Sequence, residues 1–365
     1  MNVPKLRFKE FNDNYLRLKY KDVLKIKSGK DQKQVECENG IYPILGTGGQ
    51  IGKTNSFLYD KPSVLIGRKG TINKPQYMET PFWTVDTLFY SHIYEPNIPK
   101  YLFYSFQNVN WRKYDESTGV PSLSSSTIEG VDCNIPSKEE QLKVAYFLSL
   151  LDKKIELQSK KIEDLKLFKL YLQNKLYNAN DTKDVLIKDL GEIVTGTTPS
   201  KSENKYWDNG NILWITPTDI CENRDINDCS CKLTESGLAK GRFIPKNSIL
   251  VTCIASIGKN AIIKEDGSCN QQINAIIPSK DYNYNYIYYM IENLSNYMKS
   301  IAGTSATAII NKEQFGNINM KIHKREVQDK ISKILNAFET KIIQEGFKYK
   351  KLQNLKKGLM QNMFV

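Results

Sequence analysis

The sequence predicts an α+β fold: two mixed, strand-rich domains separated by two long helices that pair as an antiparallel coiled coil, arranged as an internal pseudo-twofold repeat. Three observations predict it. Segments far apart in the chain resemble one another at a near-constant spacing. Each half holds short β-branched and aromatic runs punctuated by Gly, Pro, Asn and Asp. Each half ends in a proline-free stretch whose apolar residues keep the spacing of a coiled-coil seam.

The repeat organises the rest. "KPSVLIGRKGTINKP" (61–75) lies over "KNSILVTCIASIGKN" (246–260), 185 positions on, and the same offset carries "YLFY" (101–104) onto "YIYY" (286–289). At an offset near 187, "EEQLKVAYFLSLLDKKIE" (139–156) parallels "REVQDKISKILNAFETKI" (325–342). The tails "LKLFKLYLQNKLY" (165–177) and "LQNLKKGLMQNMF" (352–364) agree as well. Two copies of roughly 180 residues are far too long for a solenoid repeat and read as a duplicated domain. The expected division is 1–136 and 181–322 for the mixed domains, and 137–180 and 323–365 for the helices.

Within the mixed domains, "SVLIG" (63–67), "LFYSHIY" (88–94), "ILWIT" (212–216), "SILVTCIASIG" (248–258) and "NAIIP" (274–278) read as strands, and short helices are expected over 100–114 and 286–300. From Lys138 to Tyr177 there is neither Pro nor Gly, and Leu148, Leu151, Ile155, Ile162, Leu165, Leu172 and Leu176 follow three- and four-residue steps. Leu335, Phe338, Ile342, Tyr349, Leu352, Leu359 and Met363 hold the matching positions in the second copy. Gln158 and Lys169 interrupt the first seam, and Glu345 and Lys356 interrupt the second at the same places. Seams that match in register predict that the two helices pair, each on the order of 60 Å long.

A chain of 365 residues with 40% hydrophobic and 25% charged residues is an ordinary globular composition. The formal net charge of +12, with 21 Tyr, is less ordinary and points to a polyanionic partner. Seven scattered Cys without paired spacing, and only His92 and His323, exclude a disulfide framework and a zinc site. The first twenty residues lack the apolar core of a signal peptide, and no run is long enough to span a membrane, so a cytoplasmic location with no membrane contact is expected. No catalytic constellation is present. Adjacent prolines, and with them the Asn/Asp-Pro-Pro-aromatic motif of amino methyltransferases, are absent. With two His a Ser-His-Asp or Cys-His centre is excluded. Glu-x-Lys at 203–205 and 339–341 has no upstream Asp placed to bind metal with it.

"GTGGQIGKT" (46–54) ends like a phosphate-binding P-loop but misses it by one residue, because Thr47 stands where the first Gly is required. A P-loop also opens into a long helix, whereas Pro62 and the strand "SVLIG" follow here. The segment reads as a Gly-rich turn between strands, and, since it has no counterpart in the second half, as a loop reading something that differs between halves.

Several loops carry residues suited to DNA. In the first half these are Gln50, Lys53 and Thr54, then Arg68, Lys69, Thr71 and Lys74 in "GRKGTINK", and Trp111, Arg112, Lys113 and Tyr114 in "WRKY". In the second half they are Thr197, Thr198, Ser200, Lys201 and Lys205 in "TGTTPSKSENKYW", with Thr216, Lys259, Thr304, and Asn270, Gln271 and Gln272 in "NQQIN". Lys and Arg neutralise phosphates, Arg grips guanine bidentately, and side-chain amides pair with adenine.

Along essentially its whole length the chain resembles the specificity (S) subunit of a Type I restriction–modification system. The resemblance rests on "GTGGQIGKT…SVLIGRKGTINKP…PFWTVDTLFY" in the first half, on "LGEIVTGTTPSKSENKYWDNGNILWITPTDI…ASIGKNAI…NQQINAII" in the second, and on "IPSKEEQ" leading into a long helix. It implies two target recognition domains, each reading one half of an asymmetric bipartite site in double-stranded DNA. It implies that the helix pair sets the spacer and docks two modification subunits, which methylate adenine with S-adenosylmethionine, and that restriction subunits join through these and cleave with ATP and Mg. The S subunit itself is not an enzyme and holds no cofactor or metal. The alternative is the targeting subunit of a related two-subunit restriction enzyme with a fused methylase-nuclease partner. One departure is that the second "EEQ" reads "REVQ" (325–328) and "KIHK" before it has no counterpart of Pro136.

Overall fold

The computed structural model describes residues 3–178, 181–221, 223–303 and 308–364. The chain divides into two compact units, Met1–Ser159 with Phe347–Val365, and Lys160–Gly346.

In the first unit β1 (Leu16–Lys19), β2 (Leu24–Lys27), the hairpin β3 (Tyr42–Gly46) and β4 (Gly49–Thr54), β5 (Ser63–Gly67), β6 (Gln76–Met78), β7 (Trp83–Thr84) and β8 (Leu88–Ile93) precede α1 (Pro99–Asn108). A short α2 (Ser125–Gly130) and β9 (Asp132–Ile135) then lead into the long α3 (Lys138–Tyr177). The strands form sheets in the orders β2-β8-β5-β6, β4-β3-β7 and β1-β9. All five residues of β5 are buried, as a short continuous apolar run predicts for an interior strand. Pro99 opens α1 at a position where its missing N–H costs nothing. Tyr101, Leu102, Tyr104 and Phe106 of that helix join Tyr20 and Trp111 in the core.

The second unit repeats the plan. Its strands are β10 (Lys183–Leu186), β11 (Gly191–Thr195), β12 (Ile212–Ile215), β13 (Asp225–Ile226) and β14 (Lys232–Leu233), followed by α4 (Glu235–Leu238). Then come β15 (Ile249–Thr252), β16 (Asn260–Ile263), β17 (Gly267–Cys269), β18 (Ile273–Pro278), α5 (Tyr284–Asn293), α6 (Ser295–Ile301), α7 (Lys312–Gly316), β19 (Asn319–Ile322) and the long α8 (Arg325–Met363). The sheet orders are β11-β18-β15-β16-β13, β14-β12-β17 and β10-β19. β8 and β18, like α1 and α5, begin 185 positions apart, and α3 and α8 begin 187 apart. The expected strands and short helices are present, although "SILVTCIASIG" breaks after Thr252 and Ala255 takes a left-handed φ of 60°.

Each core borrows from both long helices. In the first unit Met360, Met363 and Phe364 at the end of α8 pack with Val144, Ala145 and Leu148 of α3. The Phe364 ring lies 5.3 Å from Tyr101. In the second unit Leu172, Leu176 and Tyr177 at the end of α3 pack against Ile331 and Leu335 of α8. The pairing inside each unit is antiparallel, since Lys169 meets Glu339 while Lys161 meets Glu345, and Lys356 meets Asp152.

The polar breaks in the seams are themselves paired. Lys169 Nζ lies 2.7 Å from Glu339 and 3.5 Å from Glu292, 5.0 Å above the Tyr289 ring. At the repeat-related position Lys356 Nζ lies 2.6 Å from Asp152 and 3.4 Å from Gln107, 5.3 Å above Tyr104. Burial pushes both tyrosine hydroxyls well above their ordinary value, so they remain donors; Asp152 adds to this at Tyr104, whereas at Tyr289 the Arg224 guanidinium opposes it and burial outweighs it. Glu345, fully buried, is bracketed by Lys161 and Lys341.

The entry to each long helix is built alike, despite the departure at "REVQ". Gln141 accepts from the Ile98 N–H (2.9 Å) and donates to the Pro136 carbonyl (3.1 Å). Gln328 accepts from the Asn283 N–H (2.9 Å) and donates to the His323 carbonyl (2.8 Å). A backbone carbonyl is all this clamp needs at its far end, which is why His323 can stand where the first copy has Pro136. His323 is buried, its Nδ1 2.7 Å from the Tyr286 hydroxyl.

Candidate nucleic-acid interface

In both units four turns meet at one end of the sheets. In the first unit Gly29, just after β2, lies against the carbonyls of Thr84 and Val85, where a Cβ would come within 2.0 Å of one oxygen. Only glycine permits so close an approach. The Lys30 N–H donates to the Thr84 carbonyl (2.9 Å) and Val85 N–H to the Leu45 carbonyl (3.1 Å). Arg68 N–H donates to the Thr87 carbonyl (2.8 Å), and the loop 115–124 docks on this turn through Gly70 N–H to Pro121 and Leu123 N–H to Arg68 (2.8 and 2.9 Å).

The second unit makes the same bonds. Gly196 lies against the carbonyls of Cys269 and Asn270, with a virtual Cβ 2.2 Å from the nearer oxygen. Thr197 N–H donates to Cys269 (2.9 Å), Asn270 N–H to Ile215 (2.9 Å), Cys253 N–H to Gln272 (2.8 Å) and Ile310 N–H to Cys253 (2.9 Å). A tryptophan braces each copy from a different place: Trp83 Nε1 donates to the Lys30 carbonyl and Trp214 Nε1 to the Thr197 carbonyl, both at 3.0 Å.

The side chains on these shared turns differ. The first unit presents Ser28, Lys30, Thr47, Arg68, Lys69 and Asp86. The second presents Thr198, Thr218, Gln271 and Gln272, with Thr198 Oγ1 donating to Gln271 Oε1 (2.5 Å). Carboxylates beside the turns are mostly engaged. Asp115 accepts from Ser122 N–H and from the N–H and hydroxyl of Ser117, which hold it below the usual aspartate range. Partial burial pushes Asp219 up, but donors on Thr216 and Ser230 outweigh it and keep it low. For both groups the folding contribution is complete above the ordinary aspartate value and is lost only as pH falls through the depressed one.

Not every residue expected on DNA lies here. Arg68, Lys69, Thr197, Thr198, Thr216, Gln271 and Gln272 lie on or beside the shared turns, Thr71 being next to them. Ser200, Lys201 and Lys205 follow on an exposed loop, with Lys205 paired to Glu203 at 3.2 Å. Lys74 and its counterpart Lys259 are exposed; Lys74 lines a groove beside Gln107 and Lys357. Arg112, Lys113 and Tyr114 are exposed on one 3₁₀ turn.

Three expectations need correction. Trp111 is fully buried, its Nε1 donating to the Phe106 carbonyl, so it offers no face for stacking. Thr54 is fully buried, its backbone against Gly40. Asn270 is 8% exposed and spends its side chain on Gln272. Thr304 lies outside the described residues.

"GTGGQIGKT" forms the β3–β4 hairpin, with no helix after it to hold a nucleotide phosphate. Its turn reaches the shared face, where Thr47 Oγ1 sits 3.7 Å from the Cβ position of Gly70. Gln50 and Lys53 are exposed on β4, Lys53 toward its far end.

Ser28, Lys30, Thr47, Asp86 and Thr87 were not legible as candidates. The repeat offset was the available signal, since 185 positions before "NQQ" (270–272) stands "VDT" (85–87). Among the described residues no helix is long and apolar enough to cross a membrane, and no group of acidic, His and Cys side chains is arranged to hold a metal.

The fold has counterparts. The model of the Type I restriction modification DNA specificity domain matches residues 12–167 and again 180–354. The specificity subunit of the Type I restriction enzyme MjaIX from Methanocaldococcus jannaschii is 32% identical over 185 residues, 49% of this chain and 43% of that protein. That of EcoR124I/EcoR124II from Escherichia coli is 33% identical over 166 residues, 42% of this chain and 40% of that protein. The chain thus spans about two-fifths of the length of these curated relatives in the matched regions. The S subunit of a Type I restriction–modification system from M. genitalium shares the fold over 100% of this chain and 99% of its own, with a TM-score of 0.69 at 16% identity. A chain from a structural study of assembly and conformational transition in the type I restriction–modification system shares it over 95% of this chain and 96% of its own, at a TM-score of 0.61 and 11% identity. With its domain matched twice and over most of its residues, the chain belongs to the Type I restriction–modification DNA specificity family.

Proposed function

We propose that the chain is the sequence-reading subunit of a Type I restriction–modification complex, each unit reading one half of an asymmetric bipartite site in double-stranded DNA. One observation carries this reading: the same four-turn frame is built twice from matching backbone bonds and carries different side chains each time. A frame kept while its exposed residues diverge is what two unlike half-sites demand. The chain contributes no chemistry of its own; adenine methylation with S-adenosylmethionine, and cleavage with ATP and Mg, belong to partner subunits.

The helix pair has two roles in this reading. Leu142, Tyr146, Leu150 and Leu157, and further on Phe168 and Tyr171, are large exposed apolar side chains on α3. Their spacing places them on one stripe beside the seam that faces α8, with Phe168 at its edge, 5.5 Å from the Phe338 ring of that helix. Such a stripe suits two modification subunits, which would cover it. The pair also sets the spacer. Four residues inserted at Gln158 and at the matching Glu345 add about 6 Å of helix, and the modified site should widen by roughly one to two base pairs with both half-sites unchanged. Unaltered spacing would refute the ruler.

The direct test is to sequence modified adenines in cells with and without this gene. The expected result is a gene-dependent, bipartite, asymmetric motif; no gene-dependent modification overturns the proposal. In binding assays with the complex, Arg68→Ala with Lys69→Ala should weaken all DNA sequences alike and make the salt slope shallower by about 1 for each lost phosphate contact. An unchanged slope would remove these two residues from the interface.

A further inference from the structure

Asp86 and Gln271 occupy the same place in the two units. Val85–Leu88 and Asn270–Ile273 are equivalent turns, each closed by the N–H of its last residue donating to the carbonyl of its first, at 3.0 and 3.2 Å. Asp86 and Gln271 are the second residues of these turns, and both are exposed. Both turns sit in the middle of their face, between the Gly29 or Gly196 approach and the turn after β5 or β15.

Asp86 is out of place on electrostatic grounds. Thr84, just before its turn, is bonded to Lys30, and Thr87 within the turn to Arg68 and Lys69, a setting that attracts phosphate. A carboxylate among them is repelled by that same phosphate. The neighbouring acids avoid the problem by accepting donors of the protein itself: Asp115 from Ser117 and Ser122, Glu116 from Ser124 and Thr127. For Asp86 only the backbone carbonyl is engaged among the described residues, by Arg68 Nη1 at 3.5 Å. The donors a DNA duplex offers to a carboxylate are base amino groups, which in the major groove means cytosine N4 and adenine N6.

Gln271 has the opposite bias. Its Oε1 already accepts from Thr198 Oγ1, which leaves the two N–H donors of Nε2 to seek acceptors such as guanine O6 and N7 or thymine O4. We propose that this pair sets specificity: Asp86 reads a base amino group in one half-site, and Gln271 reads a base acceptor at the corresponding position of the other. The inference rests on the DNA-reading function proposed above, and it names side chains that make the two half-sites differ.

The test replaces the wild-type gene in its host by the Asp86→Asn form, and separately by Gln271→Glu, and sequences the modified adenines. Asparagine keeps the size and loses the acceptor-only character. The expected result is a change or relaxation at one position of one half-site for Asp86→Asn, and of the other half-site for Gln271→Glu. In binding assays of the complex, discrimination at that position should fall roughly 5- to 150-fold, with other positions unchanged. An unaltered motif overturns the inference. So does a uniform loss of affinity over the wild-type site and all its single-base variants, or a lowered melting temperature that accounts for the loss, because either makes Asp86 a general or structural residue. A wild-type gene that directs no bipartite motif sinks the underlying reading instead, so the two failures are told apart.

Discussion

Trp111→Ala is expected to destabilise the first unit by about 3–5 kcal/mol. The ring is fully buried and packs at 5.0 Å from Phe106 and 6.2 Å from both Tyr20 and Tyr114. Its Nε1–H satisfies the Phe106 carbonyl at 2.8 Å. Alanine leaves a cavity and removes the shorter of the two hydrogen bonds to that carbonyl, which keeps only the Val109 N–H at 3.3 Å. Asn296 holds the matching position of the second copy, so the second unit has no such ring to lose. Denaturant unfolding followed by tryptophan fluorescence checks this, and DNA affinity should fall only in proportion to the unfolded fraction. Arg112→Ala, one residue on and exposed, should stay within about 0.5 kcal/mol. If Trp111→Ala keeps full stability but loses DNA, the residue reads DNA and its assignment to the core is wrong.

Reversing the charge at Lys169 should be nearly as damaging, by about 3–5 kcal/mol. Lys169 is 11% exposed and its partner Glu339 17%, so water screens the pair little. Lys169→Glu would bring three carboxylates together next to the Tyr289 ring, with Glu292 the third. Lys356→Glu should cost less, because Asp152 is 36% exposed and solvent relieves it. Adding Glu339→Lys to Lys169→Glu should restore most of the loss. Melting curves of the four proteins decide the matter. An unchanged midpoint for Lys169→Glu would show that the polar breaks in the seams do not hold the helices in register.

Much of the fold was legible because it is periodic. The seam residues from Leu148 to Leu176 and from Leu335 to Met363 are buried or half-buried in the structure, as their three- and four-residue steps require. Lys169 and Lys356 were legible as interruptions, but not as the centres of matching ion pairs. Their partners lie on the other helix and on the helices α1 and α5, and sequence spacing carries no sign of such neighbours. Phe364 looked like the tail of a helix, yet it packs on Tyr101 from a strand-rich domain more than two hundred residues earlier.

The candidate interface was legible in part for a different reason. Arg68 and Lys69, or Gln271 and Gln272, stand out because their chemistry suits DNA wherever they lie. Trp111 and Thr54 stand out equally, and their chemistry suits a core just as well. Asp86 and Thr47 carried no signal in their own chemistry, since an aspartate or threonine in a turn is unremarkable until its neighbours are known; only the repeat offset pointed to Asp86.

By itself the amino-acid sequence determined the duplication, the paired helices, the basic balance and the family, because repetition, heptad spacing and charge are properties of the chain taken in order. The tertiary structure alone decided which of the suited residues share a face, which are spent on internal bonds, and that the turn of "GTGGQIGKT", rather than its Gly-Lys-Thr, reaches that face. Burial and hydrogen-bond satisfaction depend on segments that meet only when the chain is folded, and no local pattern encodes them.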